Sequence, residues 1–189
     1  MPFHYPQFGS NTLSGIFSKY PERGVLMLRL IADVMDETDE LSKLDKETVF
    51  AFSSFQNACT YCFESHKAVA HACGLDESVF DQIVADLNSA NIDQRMRVML
   101  SFVQKLSRTP SRIVESDVQA LIAEGFSEEA VMDIVSVCAL ANYMNCFVDG
   151  LGVAATREQA KQGSLELVAD DAYRQLLAHF ESLIPGRPK

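Results

Sequence analysis

Cys59, Cys62 and His66 fall within the short segment ACTYCFESHKA, residues 58–68, and Glu47 lies in the helical stretch before it. These residue types hold metals, exchange electrons through a dithiol, or move protons, and their spacing narrows the choice. On a helix, separations of three, four and seven residues place all three side chains on one face. A cap at Asn57 would put both cysteines in the first turns, where the positive end of the helix dipole favours thiolate, the reactive form, over thiol. Folding the preceding helix back with a reversal at Gln56 and Asn57 sets Glu47 opposite His66 and the small Ala51 opposite Cys62. A carboxylate beside an imidazole raises its basicity and fixes its orientation, so His66, four residues from Cys62, is placed to take its proton directly or through a water. The dipole favours Cys59 as the more acidic thiol and the His66–Glu47 pair favours Cys62; spacing alone leaves both open. Two sulfurs three positions apart at a helix start close into a disulfide with modest adjustment, which permits a thiol, sulfenic acid and disulfide cycle.

The same residues admit two other readings. Cysteine packs as a small hydrophobe, so the face could be core alone. Zinc takes cysteine and histidine, but CxxCxxxH supplies three ligands from one helix, and no second CxxC or HxxxH follows to complete a structural site. With Glu47 in register, proton-coupled thiol chemistry outweighs both. Cys73, Cys138 and Cys146 read as buried hydrophobes, with Cys73 a secondary oxidation site if exposed. His71 is turned about half a turn away from Cys62 on the same helix and reads as structural, and His4 and His179 as surface residues. Asn142, Asn145 and Asp149 interrupt an apolar helix and must find hydrogen-bond partners. As ties between helix ends and subunits they outweigh a reading in which Asn142 or Asn145 lines the thiol pocket. Phe50, Phe52, Phe55 and Phe63 crowd the hairpin as core and oligomer contact more than as a substrate box.

The elements that must position these residues are helices. Apolar residues recur at spacings of three and four, no strict alternation persists, and the fold class is all-α. Helices are expected over 10–20, from Pro21 to about 36, from 44 or 45 to 56, through the cysteine segment to a cap at Gly74, and over 76–88, 93–108, 115–124, 127–153 and 170–183. Acidic residues 36–40 read as a solvated connector, Pro110, Gly125 and Pro185 as punctuation, and PGRPK as a loose tail. The segment IVSVCALANYMNCFV, residues 134–148, is apolar nearly all round and is expected to be the spine of the core, buried on every side. One domain spans 1–189, with 1–35 as a helical extension, 44–75 as the cysteine hairpin and 127–153 as the core helix.

The chain has 189 residues, 48% of them hydrophobic, enough for a sizeable core, and a formal charge of −10 that repels phosphate backbones and anionic lipid. Neither nucleic acid nor membrane is an expected partner. Five cysteines without an export signal fit a reducing compartment better than a disulfide framework, and the protein reads as cytoplasmic.

Glu47, eleven further residues, then Cys59-Thr60-Tyr61-Cys62 and His66 resemble the pattern of AhpD-like alkylhydroperoxidases within the carboxymuconolactone decarboxylase superfamily. The likeness is strongest over 44–75. NYMNCFVDGLGV, residues 142–153, is similar to the Asn-rich helix of the uncharacterised peroxidase-related branch. The resemblance implies an all-α homo-oligomer that reduces hydroperoxides without haem, flavin or metal, and is itself reduced by a dithiol or protein partner. It implies that Cys62 is attacked by the peroxide, that Cys59 resolves it, and that Glu47 and His66 relay protons. Where the best-known members carry a second histidine inside the pair this chain has Tyr61, which titrates near 10 and cannot be a base at neutral pH; it can donate a hydrogen bond or wall the pocket. A general thiol–disulfide oxidoreductase or a non-enzymatic redox sensor would use the same residues, and an oligomeric binding module would keep the fold. The decarboxylase branch does not use a CxxC pair.

Overall fold

The computed structural model describes residues 12–153, 157–169 and 171–184, except for the side chains of Arg157 and Lys161. The expectations for residues 10 and 11, His4, Asp170, Pro185 and the PGRPK tail lie outside them. The described residues are all-α: helices α1 (Leu13–Lys19), α2 (Pro21–Met35), α3 (Lys43–Gln56), α4 (Thr60–Ala72), α5 (Glu77–Ala85), α6 (Gln94–Arg108), α7 (Glu115–Ala123), α8 (Glu128–Gly150), α9 (Arg157–Ser164) and α10 (Ala172–Ser182), with short 3₁₀ turns at Pro110–Arg112 and Leu165–Leu167 and no strand.

Local chemistry starts and stops these helices where the residue types demand it. Thr12, Asp76, Asp93 and Ser127 accept a hydrogen bond from a first-turn amide of the helix each precedes. Ser42 and Asp45 form a reciprocal capping box at α3. Pro21 opens α2, where a missing N–H costs nothing. Gly24 in that helix lets α1 approach closely: a Cβ there would lie 2.9 Å from the Cβ of Phe17.

The spine of the core is α3 rather than α8. Ten consecutive-turn positions of α3 are buried, including Lys43, Lys46, Glu47, Thr48, Ser53 and Ser54, and it packs against α4, α6 and α8. Three of these polar residues are hidden at little cost because they are bonded: Thr48 donates to Leu44 O at 2.7 Å, Ser54 to Phe50 O at 2.9 Å, and Lys46 Nζ caps the end of α2 through Val34 O at 3.0 Å. By contrast α8, expected to be buried on every side, turns one stripe outward, with Met132 66% and Tyr143 48% exposed and Ala139 and Cys146 beside them. By length and composition α8 could cross a membrane, yet its inner face, with Ile134, Val137, Ala141 and Val148 fully buried, belongs to the core. The first helices are likewise no appendage: α2 packs on α10 and α8 and contributes Val25, Leu28 and Ile31 to the core.

Candidate active site

The α3–α4 reversal sets the cysteines in place. Asn57 ends α3, the Ala58 amide bonds Phe55 O at 3.1 Å and the Cys59 amide bonds Ser54 O at 3.0 Å, the paired bonds of a Schellman motif. The motif needs a left-handed residue, and Ala58 supplies it with φ 57°. Asn57 therefore closes α3 and does not cap α4 as expected. Its side-chain amide is spent on α8, donating to Asn142 Oδ1 and Asn145 Oδ1, each at 2.9 Å. Cys59 itself occupies the N-cap position of α4, and Cys62 sits in the first turn.

Glu47 and His66 meet as the spacing predicts. Nδ1 of His66 lies 2.7 Å from Glu47 Oε2, and the carboxylate is 0% exposed. A carboxylate at Nδ1 selects the tautomer with the proton there, leaving Nε2 as an acceptor. Phe50 stacks on the imidazole with centroids 3.6 Å apart and planes within 18°, so the ring is clamped on its face as well as at its edge. The second carboxylate oxygen of Glu47 accepts the hydroxyl of Tyr173, on α10, at 2.8 Å. Lys43 Nζ lies 5.8 Å above the Tyr173 ring and donates to Ala169 O, tying α10 to the start of α3.

Cys62 and His66 line the same cavity, about 270 Å³ in volume, with Phe50, Tyr61 and Tyr173 beside them. Its far walls come from α1 and from α9 with the following 3₁₀ turn. Cys59 lines a different hollow of about 240 Å³, with Phe55, Ala58, Phe63 and Glu64. Cys59 thus does not share the cavity of Cys62 and His66. Both are free thiols, and Cys59 Sγ donates to Asp149 Oδ1 at 3.5 Å. Ala51, expected opposite Cys62, belongs instead to a small cluster with Ala70, Leu75 and Phe80 on the other flank of the hairpin.

The helix dipole does not make Cys62 a resting thiolate. Its thiol is pushed well above the ordinary cysteine range, first by its hydrogen bond to Cys59, then by burial and by the charges of Cys59 and Asp149; a hydrogen bond from Asn145 opposes them. Burial, with the charges of Cys62 and Cys59, raises the Tyr61 phenol. Burial and Glu47 raise Tyr173 well above its ordinary value. Both tyrosines are therefore hydrogen-bond donors. Of these side chains, the His66 imidazole is the one with a nitrogen acceptor that lines the Cys62 cavity.

Several residues at this site were not singled out from the sequence. Tyr173 is an aromatic residue of an amphipathic helix, with no local sign that its hydroxyl reaches a carboxylate 126 positions earlier. Helix α9 went unseen because REQAKQGS carries no apolar periodicity. Asn145 ties α8 to α3, as the favoured reading expects, donating to Ser54 Oγ at 2.9 Å and accepting from Asn57 Nδ2. Asn142 ties α8 to α3 as expected. Of the other cysteines Cys138 is buried, with Ser107 Oγ 3.3 Å away, and Cys73 is half-buried, but Cys146 is exposed on the outer stripe of α8. His71 is structural, with Nδ1 2.8 Å from Leu75 O, and His179 is exposed. Phe52 is buried in the core and Phe55 is partly exposed, its ring 5.6 Å from that of Phe63. Among the described residues no group of three or more His, Cys, Asp or Glu is placed to hold a metal ion.

The fold has close counterparts among solved structures. An alkylhydroperoxidase AhpD core, an uncharacterized peroxidase-related protein from Ralstonia eutropha JMP134, aligns with a TM-score of 0.71 and 25% identity over 78% of each chain. An uncharacterized peroxidase-related protein from Silicibacter sp. TM1040 aligns with a TM-score of 0.66 and 28% identity over 71% of each. The debrominase Bmp8, in complex with 2,3,4-tribromopyrrole, shares the fold alone, with a TM-score of 0.64 and 17% identity over 82% of this chain and 81% of its own. No family model matches the chain, and no curated protein matches it in sequence. The chain therefore has the AhpD-like helical fold. Within that fold its likeness is to the peroxidase-related proteins, the group to which its CxxCxxxH segment points.

Proposed function

We propose that the protein is a thiol-dependent peroxidase acting on organic hydroperoxides, with Cys62 as the attacked thiol, Cys59 as the resolving thiol, and His66 with Glu47 as the proton relay. The observation that carries this reading is the placement of Cys62 and His66 on one cavity with the imidazole held at 2.7 Å by a fully buried carboxylate. His66 Nε2 takes the Cys62 proton, and Glu47 stabilises the resulting imidazolium. The sulfur attacks the terminal peroxide oxygen, the O–O bond breaks, and the leaving alkoxide takes the proton from His66 to depart as an alcohol. Cys62 is left as the sulfenic acid. Cys59 then forms the S–S bond, and the hydroxyl leaves as water. A dithiol or protein reductant restores both thiols by exchange, and no haem, flavin or metal ion enters the cycle. The apolar walls around Leu28, Ile31 and Met144 suit the organic part of the substrate. The exposed apolar stripe of α8 suits contact with a second copy, as in a homo-oligomer in a reducing, cytoplasmic compartment.

The test is consumption of cumene hydroperoxide with dithiothreitol by the parent, Cys62→Ser and Cys59→Ser, with dimedone trapping of sulfenic acid. Turnover lost in both variants, with dimedone on Cys62 in Cys59→Ser, is the expected result. No turnover, but a Cys59–Cys62 disulfide that forms and reduces readily, would replace this reading with a thiol–disulfide oxidoreductase or a redox sensor acting on another protein.

A further inference from the structure

The scheme above gives Cys62 a base but leaves the proton of Cys59 without a destination. Cys59 is fully buried, lies outside the cavity that holds His66, and donates its S–H to Asp149 Oδ1 at 3.5 Å. Asp149 stands in the last turn of α8, where the negative end of the helix dipole disfavours a carboxylate, so helix stability gives no reason for it. Its residue is exposed to solvent, so a proton it receives has a way out.

We infer that Asp149 is a catalytic proton acceptor for Cys59, serving the step that closes the Cys59–Cys62 disulfide; this rests on the peroxidase reading only for the identity of the oxidant. As the Cys59 sulfur bonds to the Cys62 sulfur, its S–H becomes strongly acidic and Asp149 takes the proton. The Cys62–OH bond breaks, its electron pair leaves with the hydroxyl, and a proton from solvent converts that hydroxyl to water while Asp149 releases the Cys59 proton to solvent, so no net proton is gained or lost. One thiol and one sulfenic acid become a disulfide, and the sulfenic sulfur supplies the oxidising equivalents. The site thus has two proton acceptors: His66, which shares the Cys62 cavity, and Asp149, which is hydrogen-bonded to Cys59.

The experiment follows single turnovers of the reduced full-length chain with one equivalent of cumene hydroperoxide, quenching with dimedone and counting free thiols. Asp149→Asn is expected to form the Cys62 sulfenic acid within about twofold of the parent rate but to close the disulfide at least about tenfold more slowly, with Asp149→Glu restoring most of the loss. If Asp149 acted only through its charge, its removal would favour thiolate and quicken closure, so the direction of the change separates the two roles. Closure in Asp149→Asn at or above the parent rate overturns the inference. A parent that forms no sulfenic acid overturns the peroxidase reading instead. In that event the same attack is timed from a thionitrobenzoate mixed disulfide, by release of the second thionitrobenzoate, and again slower release in Asp149→Asn supports the inference while equal release overturns it.

Discussion

Tyr173 and Glu47 meet at 2.8 Å across 126 positions of sequence, and this contact joins the last described helix to the Glu47–His66 pair of the proposed proton relay. A fully buried carboxylate with one oxygen on Tyr173 and the other on His66 is held against rotation. Tyr173→Phe keeps the packing and removes only the hydroxyl. It is expected to destabilise the fold by about 2 kcal/mol, as for a hydrogen bond to a charged group. It should also lower kcat by roughly tenfold with little change in KM, because the imidazole loses a fixed partner while the cavity keeps its shape. Urea unfolding and steady-state kinetics check the two. Unchanged kcat with lowered stability would confine Tyr173 to a structural role.

Cys62 should react like a hindered, weakly acidic thiol. Its hydrogen bond to Cys59 and its burial hold the proton on, and Asn145 is the partner that favours release. The rate of Cys62 alkylation by iodoacetamide is therefore expected to rise with pH and not to level at about 8.5, where an ordinary cysteine is half ionised. Cys59→Ala removes the largest restraint and should move the profile to lower pH. Asn145→Ala should move it to higher pH. A plateau near neutrality in the parent would mean that Cys62 is a resting thiolate.

The same raised values make stability depend on pH in a defined direction. Cys62 and Tyr173 hold their protons in the fold at pH values where the unfolded chain releases them, about 8.5 for a thiol and about 10 for a phenol. Below about pH 8 both states are protonated, and this stabilisation is fully present. Above it the unfolded chain binds fewer protons than the native one, so stability falls as pH rises. The urea midpoint should decline between about pH 8.5 and 10.5, with a shallower early decline in Cys62→Ala and a shallower late one in Tyr173→Phe. An alkaline limb that neither variant alters would assign the loss to other groups.

Local chemistry was legible in the sequence, and long-range partnership was not. The CxxCxxxH spacing and Glu47 predict the hairpin, and the contact of Glu47 with His66 follows from two helices folded back on each other. Capping residues mark most helix starts to within a residue or two. The polar content of α3 hid its burial, because Lys46, Thr48 and Ser54 satisfy their bonds within the protein and a sequence does not show where a polar group finds its partner. The apolar circumference of α8 reads as burial whether one layer covers it or two, so Tyr143 and Cys146 were misplaced. Asp149 and Tyr173 reach the site through tertiary contacts alone.

Ala58 is the non-glycine among the described residues with a positive φ, 57°, while Gly74, Gly125 and Gly152 serve the equivalent turns after α4, α7 and α8. An alanine in the left-handed region costs about 1–2 kcal/mol because its Cβ crowds the following carbonyl oxygen, and glycine returns part of this as greater freedom in the unfolded chain. Ala58→Gly is therefore expected to stabilise the protein by about 1 kcal/mol or somewhat less, raising Tm by about 2–4 °C for a chain of this size. Ala58→Val, whose branched Cβ fits that region worse, should lower stability by at least about 1 kcal/mol and shift the Cys59 amide away from Ser54 O, loosening the turn that carries Cys59. Thermal and urea unfolding of the two variants measure both effects. A destabilised Ala58→Gly would mean that the Ala58 methyl makes contacts worth more than the strain it carries.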